Sequence, residues 1–266
     1  RDCTGLTTFP VLDTSSATIF LNAWNSCSGL TTFPQLDTSS GTDFRNAWDG
    51  CTGLTTFPVL NTSNGTNFTF AWNNCSGLTT FPSINVSSGT DFRFAWKNCD
   101  KLTAFPALDF SSGTNFQESW RTCRDLVEFP SVDFSSATNF FRAWLDNHDL
   151  TTYPANQFDT TGTLVSTAFG AAWQNCNSLT AQSIENIIVS LDTNGQQNIQ
   201  LFFGGANAST WSTDAIIAHT NLINKGWTIT ETGTPSMSDL EYTINTSGTF
   251  TLRSVGTVNY TVDWGD

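Results

Sequence analysis

The sequence predicts an α/β solenoid of 24-residue coils. Each coil combines a short strand with a short helix. A larger α/β unit closes the stack, and the start of a β-rich module follows. Three observations predict this. Cys3, Cys27, Cys51, Cys75, Cys99 and Cys123 stand 24 residues apart. The series Leu6 to Leu150, Pro10 to Pro154 and Trp24 to Trp144 keep the same step. A unit such as Cys27 to Gly50 is too short to bury its own aromatic face, so neighbouring units must stack into one column.

Within a coil, Thr31-Thr32-Phe33-Pro34 is β-branched and aromatic and suits a strand. Pro34 lacks an N–H and marks the strand's end. Asp37-Thr38-Ser39-Ser40-Gly41 is turn chemistry, with an Asx turn at Asp37. Thr42 suits an N-cap. Phe44, Ala47 and Trp48 follow at i, i+3 and i+4, the spacing of one helix face. Leu30, Phe33, Leu36, Phe44 and Trp48 should then point inward. With stacked strands ~4.8 Å apart, about seven coils span roughly 34 Å.

Composition narrows the function. The 266 residues carry 10 Lys and Arg against 23 Asp and Glu, a net charge of −13 that repels phosphate backbones and anionic membranes. Nucleic acid and membrane insertion are therefore not expected as partners. The 22 Phe and 10 Trp supply a large core. No apolar run reaches transmembrane length.

The motif C-S-G-L-T-T-F, the L-D-T-S-S turn and Trp48 three residues before Cys51 resemble the BspA-like branch of leucine-rich repeats, close to the mycoplasma-type surface repeats. Members usually carry Phe where this chain has Trp48. The resemblance spans residues 1 to about 180. It implies a leucine-rich-repeat solenoid serving as an extracellular, cell-surface or virion-surface binding scaffold without one defined ligand.

The repeat breaks once. Five extra residues fall between Ala155 and Leu164, Asn147 replaces the cysteine, and Tyr153 replaces the phenylalanine. The pattern resumes at Phe169, Ala172, Trp173, Cys176 and Leu179. Beyond it, Ser183 can cap a helix to about Leu191, with Ile184, Ile187, Ile188 and Leu191 on one face. Asn198 to Phe203 reads as a strand. Thr213 to Asn224 reads as a second helix, with Ala215, Ile216, His219, Leu222 and Ile223 near its buried side. Gly226 stops it, and Trp227 to Thr230 is another strand. This segment is similar to caps that follow such repeats in phage structural proteins. Gly233 to Ser236 reads as a linker. Tyr242 to Ile244, Thr249 to Leu252 and Val258 to Trp264 read as strands. Val262 to Asp266 looks like the W-G-D-G strand that opens a β-sandwich in BspA-like proteins, so the chain reads as part of a longer modular protein. The domains are thus a solenoid (1–180), capping units (181–232), and a linker with β-sandwich-like strands (233–266).

Candidate chemistry is weighed column by column. The cysteines of adjacent coils come close enough for disulfides, but parallel Cβ vectors aim the sulfurs badly, and a line of thiols does not converge on zinc. Buried thiols are expected. Asp13, Asp37, Asn61, Asn85, Asp109, Asp133 and Asp159 form an Asx column. With Asp43 and Asp91 nearby it invites Ca²⁺, but Asn in two rungs favours a turn ladder, so no metal or cofactor is expected. The Thr8, Thr32, Thr56 and Thr80 column invites ice binding. Thr31 and Thr32 should point to opposite faces, however, and Ala104 and Glu128 interrupt the rank.

No G-x-S-x-G, H-E-x-x-H or Walker loop occurs, and the only histidines are His148 and His219. No catalytic residue is expected. Because constant positions build the fold, recognition should use variable ones. The column Asn22, Asn46, Phe70, Phe94, Glu118 and Arg142 is read as outward on the helical period, with Phe70 and Phe94 as adjacent exposed rings. Arg93 lies beside them, and Arg121 belongs to a charged stretch from Lys97 to Asp149. Phe70, Phe94, Arg93, Glu118, Arg121 and Arg142 are the candidate binding residues. The expected function is non-enzymatic adhesion to a protein or glycan on a cell surface. A self-assembling fibre, sheath or surface-layer subunit, with copies of itself as partners, is the alternative, and a carbohydrate-active enzyme is third.

Overall fold

A computed structural model describes residues 2–203 and 212–230 in full, and the backbone of residues 231, 240–244 and 248–252. Before Phe169 the coils stack as turns and extended segments with no regular strand or helix. The helix expected at Phe44 to Trp48 is therefore absent, and so is the strand at Thr31 to Phe33; isolated parallel bridges such as Asp43↔Asn67 and Thr80↔Ala104 stand in for ladders.

Backbone hydrogen bonding explains the missing helix. In the second coil the N–H groups of Phe44, Asn46, Trp48 and Gly50 donate to the carbonyls of Asn67, Thr69, Ala71 and Asn73 at 2.9, 3.0, 2.8 and 2.8 Å. An α-helix would spend those donors inside the segment. Two residues four apart adopt the left-handed conformation instead, with φ of +51° at Asn46 and +75° at Gly50, and the donors of this segment point to the next coil. Thr42 and Thr31 donate the opposite way, to Thr18 and Thr7 of the preceding coil.

The inward set is as expected. Leu30, Phe33, Leu36, Phe44 and Trp48 are all buried. Trp24, Trp48, Trp72, Trp96, Trp120, Trp144 and Trp173 form one stacked column with neighbouring centroids 5.1–5.6 Å apart. The Phe33, Phe57 and Phe81 column stacks beside it, and its rings meet the indoles edge-on, as Trp72 and Phe81 do at 4.9 Å and 78°. This herringbone satisfies the quadrupole preference of both columns. The Phe44 rings form a third stacked column, and a fourth was not evident in the sequence. Thr38 and Thr62 bond the carbonyls of the next coil, and three coils later Phe110, Phe134 and Phe158 fill the equivalent space with rings.

Further corrections concern side-chain direction and register. Thr31 and Thr32 are both exposed, not on opposite faces, because the segment is not a pleated strand. Gln157, not Asp159, follows Asp133 in the turn column, since Phe158 stacks on Phe134; the extra residues lie after it, and Asp159 accepts from Ser190 at 2.6 Å.

The last coil contains β1 (Phe169–Trp173), followed by α1 (Ala181–Asn194), β2 (Gln200–Phe203), α2 (Thr213–Asn224) and β3 (Thr228–Glu231). The sheet order is β1-β2-β3, all parallel. Thr180, rather than Ser183, caps α1. Ser183 instead accepts from the N–H of Tyr153 and donates to the carbonyl of Thr151, finishing the last coil's edge. The apolar face of Ile184, Ile187, Ile188 and Leu191 is buried as expected. On α2, Ala215, Ala218, His219 and Leu222 are buried. Ile223 is exposed and Ile216 only half-buried, so the inward face is narrower than its sequence suggests. Phe203 stacks on Trp173 and Trp227 on Phe169, which ends the aromatic column in apolar contact rather than in water. β4 (Leu240–Ile244) and β5 (Gly248–Leu252) pair antiparallel. The Gly233 to Ser236 linker and the Val258 to Trp264 strand lie outside the described residues. Among those described, no helix is long and apolar enough to cross a membrane.

Candidate binding face

The left-handed positions generate a surface. Asn22, Asn46, Phe70, Phe94, Glu118, Arg142 and Ala171 all have φ between +51° and +60°. Each side chain is thereby turned out of the coil at the same point. The column read as outward is half-buried, with Glu118 buried, so Phe70 and Phe94 are less exposed than expected, and its direction comes from backbone handedness rather than helix phase.

Phe70 and Phe94 are half-buried and stacked, with centroids 4.3 Å apart and planes within 9°. Lys97 Nζ sits 5.2 Å from the Phe94 centroid, a cation–π geometry. The same ammonium donates to Glu118 Oε2 at 2.8 Å. Beside the pair, Arg93 clamps Asp91, with Nε and Nη2 at 3.0 and 2.7 Å from its two oxygens. Six of the chain's ten Lys and Arg fall between Arg93 and Arg142, where six Asp and Glu balance them, so this stretch is neutral in net charge within an acidic molecule.

Glu118 stands apart from the other candidates. It is only 6% exposed and bonds Lys97 and Arg121. Burial pushes its carboxyl up, but those hydrogen bonds and charges outweigh it and hold the group below its ordinary value. It braces the cations and offers little surface to a partner. Arg121 also approaches Asp146, at 3.9 Å. Arg142 lies over the Phe141 ring at 4.7 Å, and its nearest paired carboxylate oxygen, on Glu118, is 4.0 Å away. The structure therefore gathers Phe70, Phe94, Arg93, Glu118, Arg121 and Arg142 along one face over four coils.

The other carboxylates have local tasks. Asp13, Asp37 and Asp109 each accept from the N–H and hydroxyl of the serine two residues on, which lowers their pKa values. Asn61 and Asn85 make the same bonds. A second Asx ladder went unread in the sequence: Asp43, Asn67, Asp91, Asn115 and Asn139 each accept from the N–H two residues on. Asp43 and Asp91, once considered as calcium ligands, are held by Arg45 and Arg93. Among the described residues no three His, Cys, Asp or Glu cluster as a metal site would need.

Six cysteines are buried and Cys3 is exposed. Cys51, Cys75, Cys99 and Cys123 each lie 3.1–3.3 Å from the carbonyl oxygen of a tryptophan one coil back, as S–H donors. Burial pushes the Cys51 thiol up to about 12. His148 is exposed on the broken coil.

No family model matches the chain, and no curated protein sequence matches it. Among solved structures the chain is similar to a leucine-rich repeat protein of T. pallidum, at 16% identity and a TM-score of 0.48, over 69% of this chain and 81% of that one.

Proposed function

We propose that this chain is a non-enzymatic recognition scaffold, extracellular or on a cell or virion surface, whose variable left-handed column contacts a protein or glycan. The Phe70–Phe94 pair carries the reading. A bulky residue at positive φ costs on the order of 1 kcal/mol or more, whereas Asn tolerates it. Asn22 and Asn46 occupy the same position with φ of +54° and +51°. Two half-buried phenylalanines at φ of +58° and +60° thus oppose the local backbone preference. Their mutual stacking returns only about 0.5–1.5 kcal/mol. Folding alone therefore gains little from them, while aromatic anchors commonly dominate binding energy. Asp13, Asp37 and Asp109 are engaged in turns, and Asp43, Asp91 and Glu118 in ion pairs.

The test is Phe70→Asn with Phe94→Asn. The Tm should stay within a few degrees of wild type, and capture of glycans from an array, or adhesion to the cells that the chain coats, should fall at least about tenfold, since each anchor contributes ~2 kcal/mol. Unfolding of the double variant, or undiminished binding, would overturn the reading. Self-association is the second reading, favoured by one observation: Val11, Leu12, Ile19 and Leu21 of the first coil are 41–74% exposed. A concentration-dependent dimer seen by light scattering and lost in Ile19→Asp would favour it.

A further inference from the structure

At the junction of the last coil with the sheet, the outer face steps inward. Phe141 and Arg142 form one wall, and Gly170 and Ala171 form the floor. Gln200 and Phe202 of β2 and Thr228 and Thr230 of β3 form the other wall, around a notch of about 400 Å³. That volume falls in the range of small-molecule sites.

The notch is built by two substitutions in the repeat. The column that holds Phe94, Glu118 and Arg142 ends in Ala171, and the column before it, which holds Arg93, Gln117 and Phe141, ends in Gly170. A Cβ on Gly170 would meet the Phe141 ring at 3.0 Å, so the bare glycine lets that ring lie across the floor. Ala171 keeps the column's left-handed backbone, φ +54°, without its large side chain. On the far wall the register pairs Gln200 with Thr228 and Phe202 with Thr230, setting one amide and two hydroxyl groups beside one ring.

We infer that this notch is a binding site for a carboxylate-bearing sugar. Arg142 is the one charged residue of its lining, and no carboxylate opposes it there among the described residues. Arg45, Arg93 and Arg121 hold carboxylates at 2.6, 2.7 and 2.9 Å, whereas Arg142 has none nearer than 4.0 Å. Its planar fork, fixed over Phe141, matches a carboxylate with two parallel hydrogen bonds. One positive charge balances one negative charge; a phosphate dianion would leave a charge unmatched in a chain already at −13. Gln174, Gln200, Thr228 and Thr230 offer both donors and acceptors, which suits a ring bearing several hydroxyls. Phe141 and Phe202 offer apolar surface to its C–H bonds. A peptide's C-terminal carboxylate would use the arginine but leave the four neutral polar groups without hydroxyl partners.

The site is separate from the Phe70–Phe94 pair, so either can fail alone. The experiment titrates the whole chain with trigalacturonate, its methyl ester, neutral maltotriose and a short peptide with a free C-terminus. Trigalacturonate should bind at least about tenfold more tightly than its ester or maltotriose, as expected when a charge-assisted pair is lost. Arg142→Gln should remove that preference with the Tm unchanged. Ala171→Phe, which places in the notch a residue the same column accepts at Phe70 and Phe94, should abolish binding. The Phe70→Asn, Phe94→Asn double variant should bind trigalacturonate as wild type does. No binding of trigalacturonate, equal binding of acid and ester, insensitivity to both notch variants, or a preference for the peptide would each overturn the proposal.

Discussion

Replacing Trp72 by alanine tests the architecture most directly. Trp72 is fully buried at mid-stack. Its ring lies 5.5 Å from Trp48, 5.3 Å from Trp96, 5.8 Å from Phe68, 5.6 Å from Phe57 and 4.9 Å from Phe81. The void left by Trp72→Ala cannot close along the column axis. The N–H groups of Trp48 and Trp72 donate at 2.8 Å to the carbonyls of Ala71 and Ala95, which fixes the spacing between coils. The expected loss is about 3–5 kcal/mol. One term works the other way. The indole Nε1 of Trp72 is buried with no hydrogen-bond partner among the described residues, a donor that costs about 1–3 kcal/mol when desolvated. Trp72→Phe removes that donor and keeps a ring in the stack, so it should cost less than half as much as Trp72→Ala. Urea melts followed by circular dichroism measure both. An alanine cost under about 1 kcal/mol, or a phenylalanine variant as damaged as the alanine one, would refute the stacked-column reasoning.

Three other outcomes follow from the geometry. At pH 8 iodoacetamide should label Cys3 alone in the native chain and all seven cysteines in urea, because burial raises the thiol pKa values and closes access; native labelling of Cys75 would refute this. The carboxyl of Glu118 titrates below its ordinary value when folded, so its contribution is present above the unfolded value and is lost as the pH falls through the folded one. Glu118→Gln should therefore lower stability at pH 7 and shrink the wild-type loss between pH 5 and 3 in acid melts. Asp109→Asn should leave the Tm nearly unchanged and Asp109→Ala should lower it, since Asn61 and Asn85 make the same turn bonds to serine.

The inward residues were legible because a strict period repeats each assignment in every coil. Phe33 and Trp48 are buried for the reason their copies are. The helix was a misreading of spacing. Phe44, Ala47 and Trp48 do share a buried side, but a left-handed residue between them gives the same facing as a helical turn. A signal was present in the intervening residues. Asn22, Asn46, Asn74, Asn98 and Gly50 are the types that tolerate positive φ, and they recur at two fixed positions. The four-residue step from Pro154 to Phe158 matches Pro130 to Phe134 and assigns the turn position to Gln157, whereas Asp159 has the Asx chemistry of that column without its register. The notch was invisible in the sequence. Gly170 and Ala171 look like ordinary small residues until β2 and β3 rise beside them.

The left-handed column separates what the fold demands from what the surface offers. Hydrogen bonding to the next coil fixes the backbone at Asn46 and its copies whatever side chain is attached. Asparagine would satisfy that demand throughout, yet four coils carry Phe70, Phe94, Glu118 and Arg142. Glu118 has a structural reason, since it neutralises Lys97 and Arg121 across two coils. Arg142 balances it only at 4.0 Å and spends most of its contact on Phe141. The phenylalanines stand outside the core columns: the fully buried rings of Phe68, Trp72, Phe92 and Trp96 stack among themselves, and Phe70 and Phe94 stack on each other. The two features that folding explains least, the aromatic pair and the arginine above the notch, therefore bracket a well-braced ion cluster on one face. On the function proposed above, that braced cluster would set the distance between two contact points.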